Sequence, residues 1–231
     1  PITDQNSNYN ADDPYDGRDP RLKEYIICNG DTYKESLIIT GAYGATNDAL
    51  NMESGYSTRT GYYMKKLLRT DCNPNPTYNT PQKVYSAYIR YTELYLAYAE
   101  AANEAWGPKG KTEECKYTAY EIIKKIRERA GICVGVTDPY LNVCAEDPMK
   151  MRELIRNERR LELCFEGFRF WDLRRWKVEL TETARGINKA GGTSYEPFDV
   201  ENRNYKEHMY YGPIPYAETL KWSELKQNFG W

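Results

Sequence analysis

The chain has 231 residues, of which 40% are apolar and 29% charged, and its formal net charge is −2. This balance is typical of a globular chain and argues against a disordered one. No stretch approaches the roughly 20 apolar residues of a membrane-spanning helix. The near-neutral charge gives no electrostatic reason to predict a nucleic-acid partner.

The aromatic composition is unusual, because 22 tyrosines and 5 tryptophans accompany only 5 phenylalanines. Most of the rings therefore carry a polar edge. Tyrosine and tryptophan are favoured on surfaces that are apolar and wet at once, and such surfaces include protein interfaces and sugar-stacking platforms.

The cysteines are too widely spaced for a zinc ribbon or a redox motif, since no two of them form a CxxC pair. Cys133 and Cys144 flank a loop and could form a disulfide in an oxidising compartment. Cys164 lies on the apolar face of a predicted helix, where we expect a small core residue. The six cysteines are Cys28, Cys72, Cys115, Cys133, Cys144 and Cys164.

Residues 1–82 are predicted to form loops and short strands, because they are rich in Asn, Asp, Gly, Thr and Tyr. Two short apolar runs, residues 25–28 and 36–40, flank the turn signal Asn29-Gly30-Asp31. This spacing predicts that the two runs pair as a β-hairpin.

Residues 83–178 have a helical period and are predicted to form the core. The first helix is predicted over 83–106, mostly buried, with Gly107-Pro108 at its end. In isolation it should expose its flanks. Its periodic positions are Val84, Tyr88, Tyr91, Tyr95, Tyr98 and Ala102.

The second helix is predicted to begin after the N-cap Thr112 and to stop at Gly131. With the first helix it would form an αα-hairpin similar to a tetratricopeptide unit. Its predicted buried positions are Ala119, Ile122, Ile123, Ile126 and Ala130.

A third helix is predicted to start at Asp147-Pro148 and to end near Gly167. A short aromatic helix, 168–177, should follow and pack its rings into the core with arginines stacked on them. Residues 179–231 are predicted to be irregular and to finish in a docked tail. The predicted apolar face of the third helix is Met151, Leu154, Ile155, Leu161 and Phe165.

Several segments resemble, in order and rough spacing, the C-terminal half of the SusD/RagB family. The strongest is 155–176, IRNERRLELCFEGFRFWDLRRW, which is similar to the family pattern IRxERRxELxFEGxRxxDLRRW. The chain ends in Trp231 where Tyr is usual in the family. The other matching segments are DPYDGRDPRL (13–22), TGYYMKK (60–66), IRYTELYLAYAEA (89–101), GPIP (212–215) and LKQNFGW (225–231).

The resemblance implies a mainly α, SusD-like fold, in which a tetratricopeptide-like helical hairpin packs with irregular loops and short strands. It implies that residues 1–231 are the C-terminal part of one domain whose N-terminal half is absent. It also implies a surface lipoprotein of the outer membrane, held by a lipid anchor outside this chain. Such a protein would bind an oligosaccharide or polysaccharide without catalysis, for import by a SusC-type TonB-dependent transporter.

Catalysis is a weaker interpretation than architecture. Glu158, Glu162 and Glu166 recur every four residues and could line one helix face, but the arginines around them favour pairing between helices. His208 is the only histidine and has no nucleophile motif beside it. We therefore predict no catalytic residue, no metal ligand and no cofactor.

The predicted ligand-binding residues lie in the loop-rich segment, where tyrosine rings could stack on sugar faces while amides and carboxylates bind hydroxyls. An alternative of equal weight is that these tyrosines only cover the helices. Two further alternatives are peptide binding of the RagB kind and a helical protein-interaction scaffold. The predicted residues are Tyr9, Asn10, Asp12, Tyr15, Tyr43 and Tyr56.

Overall fold

The computed structural model describes residues 7, 9–51, 55–73, 75, 77–85 and 87–231. Within them the chain is mainly helical with short antiparallel strand pairs, which confirms the predicted fold class. The helices are α1 (Arg21–Tyr25), α2 (Tyr91–Trp106), α3 (Ala119–Arg129), α4 (Pro139–Cys144), α5 (Pro148–Glu162), α6 (Phe168–Arg175) and α7 (Tyr216–Thr219). The strands are β1 (Ile26–Ile27), β2 (Thr32–Tyr33), β3 (Ser36–Leu37), β4 (Tyr63–Met64), β5 (Ala184–Ala190) and β6 (Ser194–Glu201).

The core lies where α2, α3, α4 and α5 meet. Each helix contributes an apolar stripe, and each fully buried Leu or Ile side chain stabilises the fold by roughly 1.5–3 kcal/mol. The central side chains include Leu96 and Ala99 of α2, Ile122 and Ile123 of α3, Leu141 of α4, and Met151, Leu154 and Ile155 of α5. The core thus joins α2, α3 and α5, which the sequence period predicted, with α4, which it did not. Phe165, a predicted core position of the third helix, is 47% exposed.

Capping residues fix where the helices begin and end. Asp147 accepts a hydrogen bond from the Met149 amide, so α5 begins as predicted. The predicted N-cap of α3 was wrong, because Thr118 caps it in a capping box with Glu121 while the Thr112 hydroxyl accepts from the Cys115 amide.

The start of α2 was also predicted wrongly, because the helix begins at Tyr91 and the chain is extended at Arg90. Arg90 leaves the helical conformation and its side chain bonds to carboxylates at the end of α5, a tertiary contact that ends the helical period there. Tyr88 is 93% exposed and Tyr95 50% exposed, so these tyrosines are not core residues. The predicted exposure of the helix flanks is confirmed.

The predicted pairing of residues 25–28 with 36–40 was wrong. Strand β1 pairs with β4, and β2 pairs with β3 through a two-residue turn. Lys34 and Glu35 in that turn both have positive φ, +48° and +66°, as a type I′ hairpin requires. Because neither is Gly, Asn or Asp, the sequence carried no signal for this turn.

A longer hairpin, β5–β6, occupies residues 184–201 of the segment that was predicted to be irregular. The Ile187 amide donates to the Thr60 carbonyl at 2.9 Å, so the hairpin docks on the chain just before β4. A β-carbon at Gly61 would lie 1.9 Å from the Ile187 carbonyl oxygen. Only glycine therefore permits this approach.

The terminal tail is docked, as predicted. The Gln227 side-chain amide bonds both the amide and the carbonyl of Ile214, at 2.7 and 2.8 Å. The Trp231 indole donates to the Tyr211 carbonyl at 3.0 Å, and its ring lies edge-on to His208. The tail therefore closes on the segment that precedes α7.

The sequence left a Cys133–Cys144 disulfide open, and the expectation for the aromatic helix was wrong. All six cysteines are free, and Cys144 lies in the core rather than in a bond with Cys133. Phe170 and Trp171 of α6 are more than half exposed, so these rings do not pack the core. The predicted stacking of arginine on these rings is confirmed, since Arg174 lies 3.4 Å from the Phe170 ring centre.

The contact at Gly61 gives a stability prediction. Gly61→Ala adds a steric clash of about 1–3 kcal/mol to a positive-φ cost of about 1–2 kcal/mol, and should lower the free energy of unfolding by about 3 kcal/mol. Gly17→Ala is the control, because Gly17 also has positive φ but no atom within 4 Å of an added β-carbon. Urea unfolding of both variants measures the difference. Equal losses would contradict the close docking of the hairpin.

Candidate functional site

A cluster of tyrosines forms where the loop-rich segment meets the β5–β6 hairpin. The Tyr15 ring lies edge-on to the rings of Tyr62 and Tyr195, with centroids 6.3 and 5.2 Å apart. Tyr43 lies against Gly192 in the hairpin loop. Tyr9 is close enough to Tyr62 to act on the pKa of its phenol. We call these five residues the tyrosine cluster.

The outer members of the cluster combine exposed rings with cations. Tyr9 and Tyr43 are 38% and 43% exposed. The Arg18 guanidinium lies 5.4 Å from the Tyr9 ring centre, and the Lys189 ammonium lies 4.9 Å from that of Tyr195. Aromatic faces and polar hydrogen-bond donors are therefore available on one surface.

Tyr43 is positioned by its neighbours in the chain and in the hairpin. The Asn29 side chain accepts from the Gly41 amide at 3.0 Å and donates to the Tyr43 hydroxyl at 3.4 Å. The Asn188 side chain accepts from the Ala42 amide at 2.9 Å. These bonds hold the loop of Tyr43 against β5, so the ring is presented by a fixed backbone.

The inner phenols stay protonated at physiological pH. Burial, and then the neighbouring Cys28, raise the pKa of Tyr62 to about 12. Burial and the adjacent Tyr62 also raise the pKa of Tyr15 far above its ordinary value. The Tyr15 hydroxyl is buried. The inner rings therefore form an uncharged support for the outer rings.

The structure brings together some of the predicted ligand residues. Tyr9, Tyr15 and Tyr43 all belong to the tyrosine cluster. Asn10 and Asp12 are exposed in the same loop as Tyr9, and the Asn10 side chain accepts from the Asp12 amide at 3.0 Å in an Asx turn. Tyr56 is 96% exposed.

Sequence reasoning missed Tyr62, Tyr195 and Lys189 as members of this surface. Tyr62 lies beside β4 in the TGYYMKK segment, and its burial was not visible from a single sequence. A signal for the other two existed, because Gly191-Gly192 between two alternating runs is typical of a hairpin. That hairpin would have placed Lys189 and Tyr195 opposite each other, as its register does.

A second constellation is a buried ion network at the end of α5. Glu158 is completely buried, and its two oxygens accept hydrogen bonds from Arg21 and Arg127, both at 2.8 Å. Glu162 is also buried and pairs with Arg21 at 3.3 Å, with Arg90 at 3.4 Å and with Arg129. Arg21 comes from the loop-rich segment and the other arginines from α3 and the start of α2.

Glu166 extends the network toward β4. It accepts hydrogen bonds from Arg90 at 2.6 Å and from Lys66 at 2.5 Å. Burial acts to raise the pKa of Glu166, but the hydrogen bonds from Arg90 and Lys66 outweigh it and hold that pKa below the ordinary value. Lys66 also lies 4.4 Å from the ring centre of Tyr25, so it ties the network to α1.

The arginines and carboxylates of residues 155–176 also hold α6 in place. Arg159 donates to Asp172 at 3.0 and 3.1 Å as a bidentate pair, and Asp172 also accepts from Arg175 at 2.9 Å. Glu100 of α2 accepts from Arg175 and from the Trp176 indole, both at 2.7 Å. The arginines and carboxylates of residues 155–176 therefore join α2, α5 and α6.

These contacts confirm the interpretation of the glutamates as pairing groups. A cleft of about 490 Å³ lies beside the network, but the cations that line it, Arg21, Lys66, Arg90 and Arg129, are already bonded to glutamates of the network. A carboxylate held by several cations is a weak proton acceptor. The network is thus suited to fixing segments and not to proton transfer.

Comparison with known proteins identifies the family. The SusD family model matches residues 2–231, and the chain belongs to that family. It is 32% identical over 156 residues to the SusD-like protein P25 of Formosa agariphila, covering 68% of this chain and 25% of the relative. It is 33% identical over 145 residues to the SusD-like protein P2 of the same organism, covering 61% and 24%.

Solved structures support the same fold. A SusD-like protein of Bacteroides fragilis superposes with a TM-score of 0.73 at 29% identity, over 94% of this chain and 40% of that one. A SusD-like carbohydrate-binding protein of the same species superposes with a TM-score of 0.67 at 24% identity, over 95% and 43%. The chain thus spans about a quarter of the curated relatives' length and about two fifths of the solved ones.

The described ranges carry neither a metal cluster nor a membrane-spanning helix. They contain no group of three or more His, Cys, Asp or Glu side chains arranged to hold a metal ion. They also contain no helix that is long and apolar enough to cross a membrane.

The buried network gives a sharp stability test. Glu158→Gln removes the charge that Arg21 and Arg127 share, and breaking a buried pair in this way should cost about 3 kcal/mol of unfolding free energy. Glu104→Gln is the control, because Glu104 pairs with Arg152 at the surface, where such a pair is worth about 1 kcal/mol or less. Chemical denaturation of both variants checks this, and a small loss in Glu158→Gln would refute the importance of the pair.

The network also predicts how stability depends on pH. Hydrogen bonds from arginine outweigh burial and lower the pKa of Asp19, Glu100 and Glu166 in the folded state. A lowered folded pKa contributes stability that is present above the unfolded value, about 4, and is lost as the pH falls through the folded value. Unfolding free energy should be level from pH 7 to 5 and fall below about pH 4. Glu166→Gln should reduce the loss of unfolding free energy at acid pH. An unchanged pH profile in this variant would contradict the lowered pKa of Glu166.

Proposed function

We propose that the protein binds an oligomeric glycan at the outer membrane and passes it to a SusC-type TonB-dependent transporter. The observation that carries the proposal is the tyrosine cluster in a chain of the SusD family. One solved protein with the same fold is a SusD-like carbohydrate-binding protein, and this likeness supports the choice of a sugar as ligand.

The chemistry of the cluster suits a sugar. Sugars have apolar C–H faces, which stack on tyrosine rings, and hydroxyl groups, which need donors and acceptors. Tyr9 and Tyr43 supply partly exposed rings, and Asn10, Arg18 and Lys189 supply polar groups beside them. Stacking tolerates rotation about the ring normal, so such a surface accepts repeating units along an oligomer.

The proposed role is binding without catalysis. The glutamates that recur along α5 and beyond it are bonded to arginines and Lys66, so they supply no free carboxylate pair at the cluster. The transporter and a lipid anchor enter the proposal through the family resemblance. They complete a route in which the bound glycan moves from this surface into the transporter.

Calorimetry with soluble polysaccharides tests the proposal. Tyr9→Ala and Tyr43→Ala should each weaken glycan binding roughly fivefold to tenfold, since each removes one stacking ring worth about 1 kcal/mol. Tyr216→Ala is the matched control, because Tyr216 is 75% exposed on α7 and has no ring contact with the cluster. It should bind as the unmodified protein does.

The ligand panel separates the alternatives. Soluble peptides in the same titrations test the RagB-like alternative, and binding of peptides but of no glycan would replace the sugar by a peptide. If neither glycans nor peptides bind, the protein-interaction scaffold becomes the favoured alternative. Glycan binding that is equal in all three variants would refute the tyrosine cluster as the binding surface.

A further inference from the structure

A second cleft, of about 280 Å³, lies between the C-terminal half of α5, α6 and the segment that follows α6. It is lined by Arg156 and Arg160 of α5, Arg169 of α6 and Trp176. We call it the arginine cleft. It is smaller than the 300–1,000 Å³ typical of sites for drug-sized ligands, so it fits a single small group.

The arginines of this cleft differ from the others of the same helix. Arg152 pairs with Glu104 and Arg159 pairs with Asp172. Arg156, Arg160 and Arg169 form no ion pair with any carboxylate in the part of the chain that the structure describes. Arg156, Arg160 and Arg169 therefore lie together without an ion pair, although 19 ion pairs join other described residues.

Among the three arginines, Arg156 most clearly lacks a hydrogen-bond partner in the described part of the chain. Its guanidinium carbon lies 4.8 Å from the ring centre of Trp176, so the planar group is held against an aromatic wall. Its Nε–H group is buried and has no hydrogen-bond acceptor among the described residues. A buried donor without an acceptor is destabilising, and more so when it is charged.

Like charges gather around this donor. Arg156 and Arg160 are four residues apart on α5 and lie on one face, where like charges repel. Burial and then the charge of Arg160 lower the pKa of Arg169, and Arg203 acts in the same direction, while Asp172 and Glu182 act against them. The guanidinium groups are therefore close enough to act on one another, and an anion between them would relieve that repulsion.

The acidic residues at the rim do not neutralise the cleft. Glu179 and Glu182 both line it, but neither forms an ion pair with its arginines. The Glu179 carboxylate accepts a hydrogen bond from the Thr181 hydroxyl. Three arginines against two exposed carboxylates leave the lining with a net positive charge.

We propose that the arginine cleft binds an oxyanion, the carboxylate or sulfate group of an acidic ligand. The planar fork of a guanidinium matches the oxygens of such groups with two parallel hydrogen bonds. The anion would accept the Arg156 Nε–H bond and lie between Arg160 and Arg169. This site uses other residues than the tyrosine cluster, so it does not depend on the proposed glycan function.

The test follows the arginine side chains directly. Nitrogen-15 NMR spectra of the arginine Nε–H groups are recorded while sodium sulfate, sodium glucuronate or neutral glucose is added at constant ionic strength. Sulfate or glucuronate should shift the Arg156 signal, identified by its loss in Arg156→Lys, in a saturable way. Glucose should not shift it. A response to sulfate alone points to a sulfate ester, and a response to glucuronate points to an acidic sugar.

Two variants on α5 make the test specific. Arg160→Gln removes an exposed cation of the cleft and should weaken anion binding about tenfold. Arg152→Gln removes an equally charged, ion-paired residue two turns away and should leave binding unchanged. Thermal unfolding of both shows that the fold is retained. No saturable shift with either anion, or equal affinity in the two variants, would overturn the proposal whatever neutral glycans do at the tyrosine cluster.

Discussion

The structure depends on two carboxylates that are buried in ion pairs. An isolated buried charge costs several kcal/mol, so Glu158 and Glu162 are tolerated only while the arginines around them are in place. Those arginines come from three separate parts of the chain: Arg21 from the loop-rich segment, Arg90 from the start of α2, and Arg127 and Arg129 from α3. The network therefore requires these parts to assemble together, and it couples the loops to the helices.

This coupling also positions the tyrosine cluster. Arg21 holds the entry segment through Asp19 at 2.6 Å, and Lys66 holds the strand end beyond β4. The segment between them carries Tyr43 and Tyr62, and the β5–β6 hairpin docks on Gly61 just before β4. The proposed binding surface of loops thus gains a fixed geometry from a helical scaffold, which is how loops commonly carry function.

The sequence was sufficient for features that are local. Asp147-Pro148 and the stops at Gly107 and Gly131 were predictable because caps and positive-φ glycines act within a few residues. Features set by distant contacts were not predictable. Arg90 ends the helical period of α2 because it reaches Glu166, and Lys34-Glu35 forms a type I′ turn without glycine. Of the predicted ligand residues, Tyr9, Tyr15 and Tyr43 cluster. Their partners Tyr62, beside β4, and Tyr195, in β6, are placed by strand pairing that only the fold reveals.

Hydrogen exchange tests most directly whether the ion network fixes the loop surface. In Arg21→Gln the amide of Ile187, which donates to Thr60, should exchange faster, while buried α3 amides such as Ile123 keep their protection. Arg69→Gln, which removes an exposed pair with Asp71, should change neither. Unchanged protection of Ile187 in Arg21→Gln would contradict the claim that the buried carboxylates organise the proposed binding surface.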